Sequence, residues 1–355
     1  MAVLPREKTR MLFVGKVALG GGAPIPVQSM LTTSTRDIEG SLQQIIALEE
    51  VGCEIVRVAV ESKRDLESFA SICAGSPLPV VADIHFDYRL AIEAAKKGAA
   101  KLRINPGNIG SIDKVDAVID AAGEAGIPVR IGVNSGSLEE RVKTLESMNL
   151  ATKMVVSVDF YAEHFKSRGF KDMVLSAKAS DVNTTIEVYR MLSKSIPDFP
   201  LHLGVTEAGT TWQGSIRSAV GIGTLLAEGI GDTFRVSLTA EPEEEIRVSR
   251  ALLATLNLGA LDTATLISCP TCSRCKVDLI GMANQVEKRL ATVKKPLKVA
   301  VMGCVVNGPG EAAEADIGVA CGQGTGAIFA HGEVLYTVPE DHIIDALFNE
   351  LQKLL

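Results

Sequence analysis

Eight short apolar runs alternate with longer amphipathic segments between Pro26 and Leu256, and this alternation constrains the fold more than any other feature. Such a rhythm is typical of repeated βα units that build a parallel sheet. The runs begin near Pro26, Glu54, Pro79, Ala100, Pro128, Asp172, Leu201 and Thr233. Eight units in roughly 250 residues match a (β/α)₈ barrel, although an open doubly wound sheet has similar local patterns. The sequence therefore predicts an α/β fold with an N-terminal TIM-type barrel, and two helices in its long fifth connection.

The pattern changes after Leu256, where shorter strands and fewer helices are expected. A turn over Cys269 to Cys275 precedes a predicted helix that runs to about Thr292. The runs LKVAVMG, ADIGVA, GAIFA and EVLYTV predict strands, and a last helix begins near Glu340. A chain of 355 residues exceeds the usual size of one core. We therefore expect a barrel domain over residues 1–256 and a smaller α+β domain over residues 257–355.

Composition excludes several classes of function. The net charge of −7 means that an anion site must be built by local clustering of Lys and Arg, so general nucleic-acid binding is not expected. The first ten residues, MAVLPREKTR, carry charges where a signal peptide has its apolar core, and no later stretch reaches about 18 uninterrupted apolar residues. These features predict a cytoplasmic protein that does not contact a membrane. Seven Cys in a cytosolic chain do not predict disulfides, and their clustering late in the sequence indicates metal.

Five of the predicted barrel strands have a cationic residue at their carboxyl end. The functional face of a barrel is the carboxyl end of its strands, so residues at these positions converge on one mouth. We call this set the mouth cations: Arg57, Arg103, Arg130, Lys178 and Arg235. Planar Arg forks supply paired donors to phosphate, and polar residues beside them extend the site, namely His85, Asn134 and Ser237. The sequence predicts a site for one or two phosphate groups; the alternative is that each cation pairs with a local carboxylate.

Two carboxylates at strand ends are candidates for acid–base chemistry. Glu207 follows Val-Thr at the end of the seventh strand and precedes Ala-Gly, where little else explains a carboxylate. For Asp83, and for His85 two residues later, the sequence favours a functional role and structural hydrogen bonding about equally. We predict that Glu207 is the catalytic group. His202 lies on the other half of its strand and is expected in the core.

The cysteines point to a metal centre in the second domain. Cys269-Pro-Thr-Cys272 is a CxxC turn, Cys304 ends a predicted strand, and a Gly-Pro-Gly turn brings Glu311 back seven residues later. Three thiolates and one carboxylate would complete a four-ligand site. Structural zinc usually has four Cys or His ligands, whereas a [4Fe–4S] cluster with three Cys and a labile oxygen ligand keeps one iron open to substrate.

Further thiols leave alternatives open. Cys275 turns the run into CPTCSRC and offers a fourth thiolate, and an all-Cys cluster would be a plain electron carrier. We place Cys275 near the site but outside its ligands. Cys53 and Cys73 are expected as buried thiols, and core packing is favoured for Cys321.

Together these motifs resemble the 4-hydroxy-3-methylbut-2-enyl diphosphate synthase family, in its bacterial form. The resemblance spans nearly the whole chain and rests on VQSMLTT, ADIHFD, LRINPGNIG, VRIGVNSGSL, GVTEAG, ISCPTCSR and VMGCVVNGPGEA. It implies an oxidoreductase of the non-mevalonate isoprenoid pathway. The implied reaction is reductive ring opening of 2-C-methyl-D-erythritol 2,4-cyclodiphosphate, with two electrons from flavodoxin or ferredoxin passing through a [4Fe–4S] cluster.

The resemblance also implies roles for individual residues. The cluster ligands would be Cys269, Cys272, Cys304 and Glu311, with Glu311 also catalytic because it would exchange for a substrate oxygen. Glu207 would take the place of the family's acid–base carboxylate. A head-to-tail homodimer is implied, in which the cluster of one subunit closes over the barrel of another. Diphosphate would be held by Arg57, Arg103, Arg130, Lys178, Arg235 and Ser237, with Asn134 and His85 nearby.

Two other functions are consistent with parts of the pattern. Similar barrels bind a pterin or corrinoid methyl carrier beside an iron–sulfur domain, although five mouth cations disfavour this chemistry. In a non-enzymatic alternative, the C-terminal domain is a ferredoxin-like carrier or a zinc module.

Overall fold

A computed structural model describes residues 4–259, 264–290, 293, 295–304, 312 and 314–355. The chain divides into two compact units, Met1–Gly259 and Ala260–Leu355, a boundary three residues beyond the expected one. Each unit has its own apolar core. Among the described residues, none of the helices combines the length and the hydrophobicity that crossing a lipid bilayer requires.

The first unit is a closed barrel of eight parallel strands. A hairpin of β1 (Leu12–Val14) and β2 (Val17–Leu19) precedes it. The barrel strands are β3 (Gln28–Met30), β4 (Ile55–Ala59), β5 (Val80–Ile84), β6 (Lys101–Ile104), β7 (Val129–Asn134), β8 (Met173–Lys178), β9 (His202–Leu203) and β10 (Thr233–Phe234). Strands β3 to β8 form one parallel sheet, and β9 pairs with β10. Parallel bridges from Leu175 to Leu201 and from Val27 to Phe234 join these two sheets at both edges. The predicted α/β barrel is confirmed.

Helices follow the barrel strands, as the alternating pattern predicts. They are α1 (Ile38–Glu50), α2 (Leu66–Gly75), α3 (Tyr88–Lys96), α4 (Pro106–Ile109), α5 (Ile112–Ala125), α6 (Glu140–Lys143), α7 (Leu150–Ser167), α8 (Val182–Ser195), α9 (Thr211–Ala227) and α10 (Pro242–Thr255). The fifth connection holds two helices, α6 and α7, which confirms that prediction. Several helices begin where a side-chain oxygen accepts a hydrogen bond from a first-turn amide, at Asp37, Asp87, Asn149 and Asp181.

The N-terminal hairpin closes one end of the barrel. Leu12, Val14 and Leu19 form a small buried cluster with residues near the amino ends of three barrel strands, namely Ile55, Val81 and Val174. Three-residue strands are too short to give a recognisable alternation, so the sequence did not predict this hairpin. Apolar side chains from the hairpin therefore pack against the amino end of the barrel.

The second unit is a mixed sheet of five strands packed against helices. Its strands are β11 (Thr265–Ser268), β12 (Lys298–Met302), β13 (Ile317–Cys321), β14 (Thr325–Ala330) and β15 (Glu333–Pro339), in that order across the sheet. The first three run parallel, and the last two are antiparallel. Helices α11 (Leu279–Leu290) and α12 (Ile343–Gln352) contribute apolar faces to its core. This arrangement confirms the smaller α+β domain.

Candidate active site

The strands bring the five mouth cations together at the carboxyl end of the barrel. Arg103 and Arg130 face each other in the register between β6 and β7, and Lys178 is the last residue of β8. Burial, followed by the charges of the four Arg side chains, holds the pKa of Lys178 well below its ordinary value. Each of those Arg residues is therefore close enough to Lys178 to act on its charge. The predicted convergence is present in the structure.

The mouth cations are largely buried, which makes their mutual repulsion strong. Burial lowers the pKa of Arg57 to about 10 even though Asp83 opposes the shift. Burial also holds the pKa of Arg130 well below its ordinary value, and Arg57 and Arg103 add to that effect. Buried cations of one sign are unfavourable unless an anion compensates them. The arrangement is therefore suited to bind a multiply charged anion.

Asp83 is a clamp for the cations around it. Arg103 Nη1 lies 3.0 Å from both Asp83 Oδ1 and His85 Nε2, while Arg57 Nε lies 3.7 Å from Asp83 Oδ2. Burial would raise the pKa of Asp83, but Arg57, His85 and Arg103 together hold it far below the ordinary value. An ionised carboxylate in this position orients guanidinium groups and is a poor proton donor.

Glu245 is a second clamp, which the sequence did not predict. This buried carboxylate on α10 accepts hydrogen bonds from Arg235 Nε and Nη2, both at 2.9 Å, and from Ser29 Oγ at 2.7 Å. The backbone N–H of Leu238 donates a fourth bond at 3.1 Å. Such a bidentate pair fixes the plane of the Arg235 fork. In the sequence, Glu245 is one of three consecutive Glu residues in a helical first turn, so no local pattern distinguishes it.

Two glycines make room for the cations. A Cβ at Gly204 would lie 2.5 Å from Lys178 Nζ, and one at Gly132 would lie 3.2 Å from Arg103 Nε. The first distance is shorter than any ordinary contact, so a side chain at Gly204 would displace the ammonium group. These positions therefore allow long cationic side chains to cross the barrel interior.

A second polar layer lies beneath the mouth. Lys101 and His202 are both fully buried in the barrel. Among the described residues, neither Lys101 Nζ nor the two ring nitrogens of His202 have a hydrogen-bond partner. Burial lowers the pKa of Lys101 to about 7, with further contributions from Arg130 and Arg57. His202 is buried as predicted, but it lies in a cationic layer instead of an apolar core.

Replacing Lys101 with Met is expected to stabilise the protein by about 2–4 kcal/mol at pH 7, because it removes an unpaired buried cation. The pKa of Lys101 is about 7 in the folded chain and 10.5 as its ordinary value, so the unfolded chain binds the proton more tightly. The penalty is therefore full below pH 7 and disappears as pH rises towards about 10.5. Urea unfolding between pH 6 and 10 measures this gain.

The exposed Lys96 provides the matched control for this substitution, since Lys96→Met is expected to change stability by less than about 0.5 kcal/mol. A Lys101→Met protein that is less stable than the wild type at pH 7 would show that the ammonium group has a compensating partner.

Glu207 is held in an unusual backbone conformation beyond β9. Its φ of 55° lies in the left-handed region, which is uncommon for residues other than glycine. Arg217 Nη1 donates to the carbonyl oxygens of Glu207 and Ala208, both at 3.3 Å. The Glu207 side chain is exposed at the carboxyl side of the strand. Strained residues of this kind cluster at functional sites, which is consistent with its predicted role.

The remaining predicted barrel residues lie at the same end. Asn134 ends β7 and is in register with Lys178, while Ser237 follows Arg235 by two residues and is partly exposed. The ring of His85 contacts Asp83 and Arg103, as described above. Seven of the eight predicted binding residues lie at or near the carboxyl ends of their strands. The exception is Arg130, which is the second residue of β7 and not its end as predicted, although it is in register with Arg103 and acts on the charge of Lys178.

In the second unit, cysteines lie at the carboxyl ends of adjacent parallel strands. Cys269 directly follows β11, Cys304 follows β12 by two residues, and Cys321 ends β13. The backbone N–H of Gly303 donates to Cys269 Sγ at 3.2 Å, which brings that thiol beside the residue before Cys304. Cys272 is exposed on the intervening turn.

Three of the four predicted metal ligands lie among the described residues. No group of three His, Cys, Asp or Glu side chains is arranged to hold a metal ion within the described ranges. The predicted fourth ligand, Glu311, lies outside the described residues, as does the segment 305–310 that follows Cys304. The thiols that are described suit a soft metal or an iron–sulfur cluster, because adjacent parallel strands carry two of them to one edge of the sheet.

Two further thiols lie close to this edge. A Cβ at Gly303 would lie 2.9 Å from Cys275 Sγ, so Cys275 is close to the residue that binds Cys269 Sγ. Burial raises the pKa of Cys321 to about 12, and the neighbouring Cys275 contributes to that shift. Cys321 belongs to the apolar core, as favoured by the sequence, whereas the exclusion of Cys275 from the ligands stays a prediction.

Comparison with known protein families covers both units. The GcpE TIM-barrel domain matches residues 9–250, and the GcpE protein C-terminal domain matches residues 265–353. The chain belongs to the GcpE family. A GcpE relative from Clostridium acetobutylicum is 51% identical over 352 residues, which cover 99% of this chain and 100% of the relative. A relative from Anoxybacillus flavithermus is 49% identical over 352 residues, which cover 99% and 96%.

Both GcpE relatives carry the name 4-hydroxy-3-methylbut-2-en-1-yl diphosphate synthase (flavodoxin). The family resemblance predicted from the sequence motifs is therefore confirmed. It extends through both units, so the barrel and the cysteine-bearing unit occur together in the named relatives.

Solved structures resemble the GcpE barrel in fold alone. A dihydropteroate synthase from Stenotrophomonas maltophilia has a TM-score of 0.50 and 14% identity, covering 69% of this chain and 99% of its own. A truncated 3-deoxy-D-arabino-heptulosonate 7-phosphate synthase from Thermotoga maritima has a TM-score of 0.50 and 13% identity, covering 71% and 95%. At such identities a shared barrel gives no support to the pterin alternative.

Proposed function

We propose that this protein catalyses the reductive ring opening of 2-C-methyl-D-erythritol 2,4-cyclodiphosphate to 4-hydroxy-3-methylbut-2-enyl diphosphate and water. The observation that carries the proposal is the convergence of five mostly buried cations at the barrel mouth of a GcpE-family chain. A doubly phosphorylated substrate supplies the negative charge that compensates these buried cations. The names of the relatives, which are diphosphate synthases, support the same substrate class.

The barrel residues divide into those that bind and those that position. Arg forks and an ammonium group donate to phosphate oxygens, with Ser237 as a further donor and His85 and Asn134 beside them. Asp83 and Glu245 are assigned as positioning residues, because each carboxylate binds and orients Arg side chains. Holding both phosphates rigidly orients the carbon–oxygen bond that breaks. The binding groups are Arg57, Arg103, Arg130, Lys178 and Arg235.

The C-terminal unit is proposed to hold a [4Fe–4S] cluster through Cys269, Cys272 and Cys304, with Glu311 as the fourth ligand. When bound, this group supplies single electrons and a Lewis-acidic iron. The placement of Cys269 and Cys304 on neighbouring parallel strands supports the assignment. The relatives' names support flavodoxin as electron donor, and a ferredoxin has the same chemistry.

Anaerobic purification tests the cofactor. The proposal predicts a brown protein with about four iron and four sulfide per chain, whose absorbance dithionite bleaches. A colourless protein that contains zinc would contradict the redox function. A ferredoxin-like carrier would bleach in the same way, but it would not consume the cyclic diphosphate.

Glu207 is proposed to handle the proton that leaves with water. Glu207→Gln keeps the side chain's shape and removes only proton transfer, so turnover is expected to fall by about 10²–10⁴-fold. Iron content and substrate affinity should stay at wild-type levels. Steady-state kinetics beside the exposed control Glu50→Gln measures the effect, and a near-normal rate in Glu207→Gln would place the acid elsewhere.

We further infer a cytoplasmic homodimer, in which the cluster unit of one subunit completes the barrel site of the other. Reduced thiols are maintained in the cytoplasm, and an iron–sulfur cluster requires them. Sedimentation should give twice the chain mass of 37.6 kDa, and a monomer with full activity would contradict the shared site.

A further inference from the structure

Met30 lies between two of the mouth cations. It ends β3, and its register partner on β4 is Arg57. Its sulfur accepts from Arg57 Nε at 3.1 Å and Nη2 at 2.8 Å, and Arg235 Nη1 lies 3.7 Å away. The residue as a whole is partly exposed. A thioether therefore occupies the position on which two guanidinium groups converge.

The guanidinium N–H groups that face Met30 are those that do not donate hydrogen bonds to Asp83 or Glu245. Arg235 uses Nε and Nη2 for Glu245, which leaves Nη1 directed at the sulfur. Arg57 Nε is 3.7 Å from Asp83, farther than it is from the sulfur. A thioether is a weak acceptor, so these N–H groups are poorly satisfied. A phosphate oxygen would displace the sulfur readily, because Met is flexible.

We propose that Met30 is an oxidation site, at which a methionine sulfoxide blocks the anion-binding mouth. The inference rests on the proposed function, because it assumes that Arg57 and Arg235 bind the diphosphate. Hydrogen peroxide is the oxidant. Its O–O bond breaks, one oxygen forms an S–O bond, sulfur loses two electrons, and the other oxygen leaves as water.

The sulfoxide changes what the two Arg side chains bind. Its oxygen carries partial negative charge and is a much stronger acceptor than the thioether. Because it is attached to a sulfur already within reach of both guanidinium groups, it satisfies their donors internally. A phosphate oxygen must then break at least one charge-assisted hydrogen bond before it binds. We expect binding of a diphosphate to weaken by about tenfold or more.

Pyrophosphate binding before and after peroxide tests the inference on the full-length chain. Wild type, Met30→Leu and Met148→Leu are titrated calorimetrically with inorganic pyrophosphate, and peptide mass spectrometry locates the added oxygen. Met148 is an exposed methionine beyond α6, so Met148→Leu is the matched control. Met30→Leu keeps the other eight Met and all seven Cys, so its collateral oxidation sites are those of the wild type. The measured quantity is the ratio of affinities before and after treatment.

After peroxide treatment, the pyrophosphate affinity of wild type and of Met148→Leu should fall by about tenfold or more. The affinity of Met30→Leu should stay at its value before treatment. Equal losses in all three proteins would overturn the inference. So would full affinity in a wild-type sample whose Met30 carries the oxygen, or a Met30 that resists oxidation where Met148 does not. Untreated wild type that does not bind pyrophosphate would instead refute the proposed phosphate site, and this inference with it.

Discussion

Cys304→Ser is expected to lose its iron and its turnover together. Cys304 lies beyond β12, next to the residue whose N–H binds Cys269 Sγ, so its loss would remove one of the three thiolates of the proposed cluster site. Losing a hydrogen-bond partner of a metal ligand costs roughly 10–100-fold, and losing a ligand itself should cost more. Iron and sulfide assays on anaerobically purified protein, with turnover measured on the same sample, give both values.

The barrel offers a control for the cysteine substitution. Cys73 lies on α2 in the other unit, and burial raises its pKa to about 12, so it carries no thiolate at neutral pH. Cys73→Ser should keep its iron. Wild-type iron content in Cys304→Ser would remove Cys304 from the ligands. Loss of the cluster in Cys275→Ala would show that Cys275, which lies close to Gly303, belongs among them.

Asp83→Asn is expected to destabilise the barrel by about 3–5 kcal/mol at pH 7. The change leaves Arg57 and Arg103 buried without the carboxylate that compensates them, and breaking a buried pair from one side is strongly unfavourable. Denaturant unfolding measures the difference. Asp172→Asn is the matched control, because the Asp172 pair with Arg10 is exposed and should contribute at most about 1 kcal/mol.

The pH dependence of this difference follows from the direction of the shift. The pKa of Asp83 is lowered from 3.8, so its ionised form stabilises the fold above that value. The contribution is lost as pH falls through the lower, folded pKa. The gap between wild type and Asp83→Asn should therefore be constant from pH 7 to about 5 and narrow below about 4. A gap that stays unchanged down to pH 3 would mean that Asp83 is not the compensating charge.

Local sequence patterns predicted the barrel strands and the mouth cations, because both features depend on residues close together in sequence. The eight barrel strands are visible because each is a compact apolar run, and the mouth cations are visible because the carboxyl ends of parallel strands meet. The clamps depend on pairs that join different elements: Arg103 binds Asp83 of the neighbouring strand, and Arg235 binds Glu245 of α10. Nothing in a linear pattern records such partners.

Two further features could not be predicted from the sequence, namely the N-terminal hairpin and the burial of Lys101. The hairpin of β1 and β2 has three residues per strand, below the length at which alternation is recognisable. Lys101 begins β6 and would be taken from sequence alone for an ordinary charged residue at a strand end, yet it is fully buried. Its surroundings are cationic because Arg130 on the adjacent β7 and Arg57 on β4, two strands away, both act on its charge. This proximity follows only from the three-dimensional arrangement of the strands.

Anaerobic incubation of iron-loaded protein with 2-C-methyl-D-erythritol 2,4-cyclodiphosphate and a chemical reductant tests the proposed ring opening. Phosphorus NMR should show the cyclic diphosphate replaced by an open-chain diphosphate, with two electrons consumed per molecule. A substrate that stays cyclic in the presence of the reduced, iron-loaded protein would contradict the proposed reaction.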